Sequence, residues 1–118
     1  MICLSWNCRG LASKPKKLAL KELVPRYNPG LLILQETLGL SSEVVTSLCS
    51  LFPGWQFQAL DSYGHLGGVA VGFREGRLKL LNLWGMYHGL GMEVLSPDLE
   101  GPLSILNIYG PCQERASF

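Results

Sequence analysis

The chain has 118 residues, a formal net charge of +1 and a hydrophobic fraction of 47%. That length is one domain or a piece of a larger one, and near-neutrality excludes the strongly basic or acidic classes whose charge alone names a partner. Charged residues are only 16%, against roughly 25% in soluble domains, so one apolar face is expected to lie open, awaiting a missing carboxy-terminal half or self-association.

Residues 2–6 read as a short buried strand. Ser13 is placed to cap a helix whose first turn accepts Pro15. That helix carries Leu18, Leu20, Leu23 and Val24 on its apolar side, and Pro25 is expected to kink or end it. A turn at Asn28-Pro29-Gly30 leads into a second apolar strand over residues 31–34. Strand, helix and strand in this order make a right-handed crossover with parallel strands. Both strands then end on one sheet edge, where ligands bind in open α/β sheets, so Asn7 and Glu36 should emerge close together.

A second helix is expected over residues 42–51, stopped by Pro53-Gly54. Trp55, Phe57 and Ala59 alternate with Gln56 and Gln58, the pattern of a strand with one buried face. Residues 67–73 read as another strand, with Arg74-Glu75-Gly76-Arg77 as a hairpin turn. Three further strands are expected over residues 78–87, 92–96 and 103–109, with a loop over residues 97–102.

No apolar run approaches the ~20 residues of a membrane-spanning helix, and the start lacks the basic region and cleavage site of a secretory signal. A nuclear or cytoplasmic location is therefore expected. Cysteines 3, 8, 49 and 112 show no C-x-x-C spacing and read as reduced thiols, with Cys3 and Cys49 as small core residues. Neither His65 nor His88 has a cysteine at zinc-ligand spacing. Six basic residues, Arg9, Lys14, Lys16, Lys17, Lys21 and Arg26, fall within the first 26 positions, as a solvated helix face or as a phosphate-facing patch.

Three candidate site residues sit at strand ends: Asn7, Glu36 and Tyr109. A lone carboxylate, asparagine or tyrosine there is unremarkable. Together they fit magnesium chemistry, because that ion takes one or two carboxylates and fills its remaining positions with water and phosphate oxygens.

The order Ser5-Trp6-Asn7-Cys8-Arg9-Gly10, Leu34-Gln35-Glu36-Thr37, Gly67-Gly68-Val69-Ala70-Val71 and Asn107-Ile108-Tyr109-Gly110-Pro111 resembles the amino-terminal half of the endonuclease/exonuclease/phosphatase superfamily. The likeness is nearest to endonuclease domains of plant LINE-type retrotransposons. It implies an α/β fold for residues 1–118, with about one sheet plus flanking helices of a four-layer α/β sandwich, an incomplete DNase I-like fold. By position it implies Glu36 as a metal ligand, Asn7 as an organiser of the metal and phosphate, and Tyr109 as a contact to the scissile phosphate. It also implies Mg2+ or Mn2+ as cofactor and DNA as partner.

The chain departs from that pattern. The superfamily continues with a Gly-Asp-Phe-Asn-like motif and ends with a Ser-Asp-His-like one. Here the two aspartates stand in Asp61-Ser62-Tyr63 and Asp98-Leu99-Glu100, and aspartate precedes neither His65 nor His88. Cys112 stands where relatives often carry asparagine, and Leu66 where retrotransposon relatives often have serine. Two readings follow. One is a half of a magnesium-dependent phosphodiesterase, inactive as an isolated chain. The other is a non-catalytic retroelement remnant that binds nucleic acid weakly through Arg9 and the lysines of residues 14–21.

Overall fold

The computed structural model describes residues 2–61, 68–86 and 89–108. Along the chain run β1 (Cys3–Asn7), α1 (Lys14–Tyr27), β2 (Leu31–Gln35), α2 (Ser41–Leu51), β3 (Trp55–Leu60), β4 (Val69–Arg74), β5 (Lys79–Met86), β6 (Gly89–Leu95) and β7 (Leu103–Ile108). The strands are divided between two sheets, one ordered β1-β2-β4-β3 and the other β5-β6-β7. β1 and β2 are parallel, paired from Cys3 opposite Leu31 to Asn7 opposite Gln35. The crossover through α1 makes them so.

β2 is the pivot. All five of its residues are buried, as expected for a strand covered on both faces. On one face Leu32 and Leu34 join Leu20 and Val24 of α1, Val44 and Leu48 of α2, and the aromatic residues Phe52, Trp55 and Phe57. On the other, Leu31 and Ile33 join Val69, Val71 and Phe73 of β4 and meet Leu78, Leu90, Met92 and Val94 of the second sheet. Helices, first sheet and second sheet are therefore three successive layers.

Several local expectations are corrected. Pro25 lies inside α1, which runs on to Tyr27 and closes at Asn28, φ 48°, whose N–H reaches the Val24 carbonyl at 2.8 Å. Proline deprives only the Lys21 carbonyl of a donor, at an exposed residue in the last turns of the helix. Leu18 is 53% exposed rather than in the core. Cys3 and Cys49 are exposed, and Cys8 is the buried thiol. Ser13 occupies the cap position of α1 but makes no side-chain cap bond.

The segment Arg74-Glu75-Gly76-Arg77 is a tight turn, with the Arg77 N–H donating to the Arg74 carbonyl at 3.3 Å and Gly76 at φ +83°. It is not a hairpin: β4 pairs with β2 and β3, while β5 pairs with β6. The turn carries the chain from one sheet to the other, because Phe73 and Leu78 on either side both belong to the core between the sheets.

Trp84, Gly91 and Leu106 are register partners across β5, β6 and β7. They share the face opposite to Leu90, Met92 and Val94, since side chains alternate along a strand. Trp84 and Leu106 are 37% and 58% exposed, with Leu81 and Leu95 also exposed. The outer face of the second sheet thus carries exposed Trp84, Leu95 and Leu106 beside the polar row Asn82, Glu93 and Ser104.

Candidate functional site

The site is built on the carboxyl ends of β1 and β2. Past Asn7 and Gln35 the strands stop, but the backbone ladder continues. The Cys8 N–H donates to the Gln35 carbonyl at 2.9 Å, the Gly10 N–H to the Glu36 carbonyl at 2.8 Å, and the Leu11 N–H to the Thr37 carbonyl at 3.1 Å. Three bonds lace the turn after Asn7 to the turn that carries Glu36. A fourth, from the Thr37 N–H to the Gly68 carbonyl at 3.3 Å, ties that turn to the start of β4.

Both turns are strained. Arg9, Glu36 and Leu38 have φ of 51°, 53° and 55°, and Gly10 has φ of 102°. A non-glycine residue in the left-handed region costs ~1–2 kcal/mol and persists only where its surroundings over-determine it. Here the laced backbone does so. The left-handed Glu36 also interrupts the strand alternation, which leaves its side chain half-buried between two buried residues, Gln35 and Thr37.

Side chains reinforce the arrangement. Asn7 Oδ1 accepts the Arg9 N–H at 3.2 Å, and Gln35 Nε2 donates to Ser5 Oγ at 2.8 Å across the strand pair. Lys16, in the first turns of α1, donates Nζ to the Cys8 carbonyl at 2.7 Å and lies 5.9 Å from the centroid of the Trp6 ring. Asn7 and Glu36 were expected from the sequence on one edge, and the parallel register brings them there. Ser5, Gln35 and Lys16 were not expected as participants. The register of β1 on β2 puts Ser5, Asn7 and Gln35 on a shared face, and that register cannot be read before the topology is known. Tyr109, His65, His88 and Cys112 lie outside the described residues.

Cys8 reports on the electrostatics of this edge. Burial pushes its thiol from an ordinary 9.0 up to about 11, with Lys16 pulling it down and Glu36 pushing it up. The sign follows from linkage: a folded pKa above the unfolded one gives stability that is complete below pH 9 and lost as pH rises towards 11. The two-unit gap is worth up to about 2–3 kcal/mol. In urea melts at pH 8 and pH 11, the alkaline loss of stability should be smaller in Cys8→Ala than in the wild-type chain. Equal losses would mean that Cys8 ionises as freely folded as unfolded.

Metal-binding capacity can be judged from the donors present. Glu36 supplies one carboxylate, and the Asn7 amide oxygen keeps a lone pair beyond its bond to Arg9. No group of three metal-capable side chains occurs among the described residues. The pair fits part of a magnesium shell, in which water and phosphate oxygens hold most positions, and not a protein cage such as zinc or calcium takes. Two larger hollows, of about 490 and 470 Å³, are elsewhere. Both are lined by Gly76, Arg77, Leu78, Ser96 and Pro97, at the opposite end of the strands, and they contribute nothing to this edge.

A profile described as the Endonuclease/Exonuclease/phosphatase family matches residues 4–110. Among solved structures, the AP endonuclease LMAP from Leishmania major superposes with a TM-score of 0.64 at 22% identity, covering 98% of this chain and 43% of that one. ANGEL2, a 2′,3′-cyclic phosphatase, gives a TM-score of 0.65 at 17% identity, covering 96% and 42%. A mannosyl-6-phosphatase from Bacteroides thetaiotaomicron gives 0.63 at 10% identity, covering 88% and 49%. At these identities the likeness establishes the fold, a partial DNase I-like α/β sandwich, and the chain spans less than half the length of these structures. Comparison with curated proteins finds no match.

Proposed function

The chain belongs to the endonuclease/exonuclease/phosphatase family, and on that premise we propose that it is the amino-terminal half of a magnesium-dependent phosphodiesterase acting on DNA, of retrotransposon origin and inactive as an isolated chain. The observation that carries this reading is the pair Asn7 and Glu36 on adjacent parallel strand ends, held by turns that share three backbone hydrogen bonds. The retrotransposon origin rests on Trp6-Asn7-Cys8-Arg9-Gly10 and Leu34-Gln35-Glu36-Thr37.

Glu36 and Asn7 would hold Mg2+ or Mn2+, which supplies charge neutralisation at a phosphoryl oxygen and a lowered pKa for a bound water. The chain's own residues do the rest of what this half does. Asn7 orients a phosphate oxygen through its amide, and Tyr109 is assigned to the same phosphate. Arg9 and Lys14, both exposed beside the site, attract the polyanionic backbone. What the described residues do not supply is a general base, whose loss costs about 10²–10⁴-fold and more where groups act as a unit.

Binding without cleavage is a second reading, favoured by the clustering of Arg9, Lys14, Lys16, Lys17 and Lys21 on the turn and helix at this edge. No helix among the described residues is long and apolar enough to cross a membrane. The outer face of the second sheet, with exposed Trp84, Leu95 and Leu106, is where a carboxy-terminal half or a second copy would dock. The test is nicking of supercoiled plasmid by the purified chain in millimolar Mg2+ or Mn2+. The expected rate equals that of Glu36→Ala. Metal-dependent nicking that Glu36→Ala abolishes would overturn the inactivity and establish a competent site.

A further inference from the structure

Lys16 behaves differently from its neighbours in the basic cluster. Its ammonium is turned back onto protein: Nζ sits 2.7 Å from the Cys8 carbonyl and 5.9 Å from the Trp6 ring centroid, and the side chain is half-buried. The carbonyl it holds belongs to the residue immediately after Asn7. From there the backbone passes through left-handed Arg9 and Gly10 before rejoining the ladder at Gly10 and Leu11. A turn in that conformation needs restraint from more than one side. The end of β2 and the turn after it restrain it from one direction, accepting the Cys8, Gly10 and Leu11 N–H groups on the Gln35, Glu36 and Thr37 carbonyls. Lys16 restrains it from the other, bringing a charged donor from the start of α1.

We propose that Lys16 is a positioning residue for the site: by holding the Cys8 carbonyl it fixes the turn that presents Asn7 beside Glu36. The bond is charge-assisted, the stronger class of hydrogen bond, and the Trp6 ring beneath Nζ favours the cation where it lies. Partners of this kind, one step removed from a metal ligand, typically change metal affinity by about 10–100-fold when removed. The proposal rests on the reading of Asn7 and Glu36 as metal and phosphate groups.

Charge and position predict opposite signs. A lysine acting through charge alone would repel a cation, so Lys16→Met would tighten metal binding. A positioning lysine would weaken it when removed. Mn2+ binding to the purified chain, followed by paramagnetic relaxation of water protons, should show weak binding that Glu36→Gln removes. Lys16→Met should weaken it about 10-fold, and Lys16→Arg, which keeps a cationic donor, should restore most of it.

Amide exchange without metal gives an independent readout. In Lys16→Met the Cys8 and Gly10 amides should exchange at least ~10-fold faster while Leu32 and Leu34 keep their protection. Mn2+ binding to Lys16→Met as tight as wild type or tighter, or unchanged Cys8 and Gly10 exchange, would overturn the proposal. Mn2+ binding unaffected by Glu36→Gln would instead remove the metal reading and the proposal's role in it, with the exchange arm still deciding whether Lys16 holds the turn.

Discussion

Replacing Gly72 by alanine should destabilise the chain by about 3 kcal/mol, the upper end of overpacking costs. A Cβ built on Gly72 falls 2.3 Å from Cε1 and 2.5 Å from Cδ1 of Phe57, its register partner on β3. No carbon pair tolerates that distance, so either the ring or the strand must move. The ring is not free to do so. Phe57 is 7% exposed and stacks on Trp55 at 5.9 Å between centroids, with Phe52 at 6.2 Å on another side. These aromatics close the core under α2, so shifting one disturbs all three. Against a total stability of about 5–15 kcal/mol for an ordinary domain, such a loss leaves a small chain with one open face close to unfolding. Urea denaturation measures it directly. Phe57→Leu combined with Gly72→Ala should be more stable than the two single effects summed, because the smaller side chain vacates the contested volume. Gly91 makes a useful control: its Cβ would meet Trp84 at 2.2 Å, but that indole is 37% exposed and can swing outward, so Gly91→Ala should cost much less. A Gly72→Ala melt within ~0.5 kcal/mol of wild type would show that the aromatic cluster is looser than its geometry.

Much of this architecture was legible in the order of residues, and the reasons differ by element. Leu31 to Leu34 is a run with no polar position, which fits a strand buried on both faces; β2 is that strand. Trp55, Phe57 and Ala59 alternate with glutamines, and β3 has the matching burial pattern. The parallel pairing of β1 and β2, and with it the approach of Asn7 to Glu36, followed from one helix lying between two strands. What failed was what depends on neighbours remote in sequence. Arg74-Glu75-Gly76-Arg77 has the composition of a hairpin turn and folds as a tight turn, but β2, far back in the sequence, and β3 already occupy both edges of β4, so β5 passes to the other sheet. Leu18 looks like part of the apolar stripe of α1, yet the sheet beneath meets Leu20 and Val24 and leaves Leu18 outside. Pro25 would break a helix interior, and is harmless because the helix has only two residues left to run. In the candidate site, residue identities pointed to Asn7 and Glu36, whereas the contact of Lys16 became visible only when α1 was laid across the Cys8 turn.

On the proposed function, in a longer polypeptide that supplies the acid and base groups the described residues do not, Glu36→Gln should slow phosphodiester cleavage by about 10³-fold while leaving DNA affinity equal to wild type or slightly tighter. The asymmetry comes from charge. Glu36 follows β2 at the end it shares with β1, so on the proposed reading its neutral isostere would remove the anionic anchor of a divalent ion that takes mostly water and phosphate oxygens. Electrostatic stabilisation of developing charge is commonly the largest catalytic contribution, and it cannot survive without that anchor. Ground-state binding runs the other way, since a phosphate approaching the edge meets Arg9 and the α1 lysines and no longer meets the negative charge of Glu36. Lys14→Ala with Lys17→Ala should give the mirror image, a weaker affinity and a shallower salt dependence, by about one unit of slope for each phosphate no longer neutralised, with turnover at saturating DNA preserved. Single-turnover cleavage and salt-dependent binding on the same proteins separate the two effects. A Glu36→Gln protein that loses affinity in proportion to its rate would make Glu36 a binding group and remove it from the chemistry. A protein that cuts at more than a tenth of the wild-type rate would place the metal on other residues altogether.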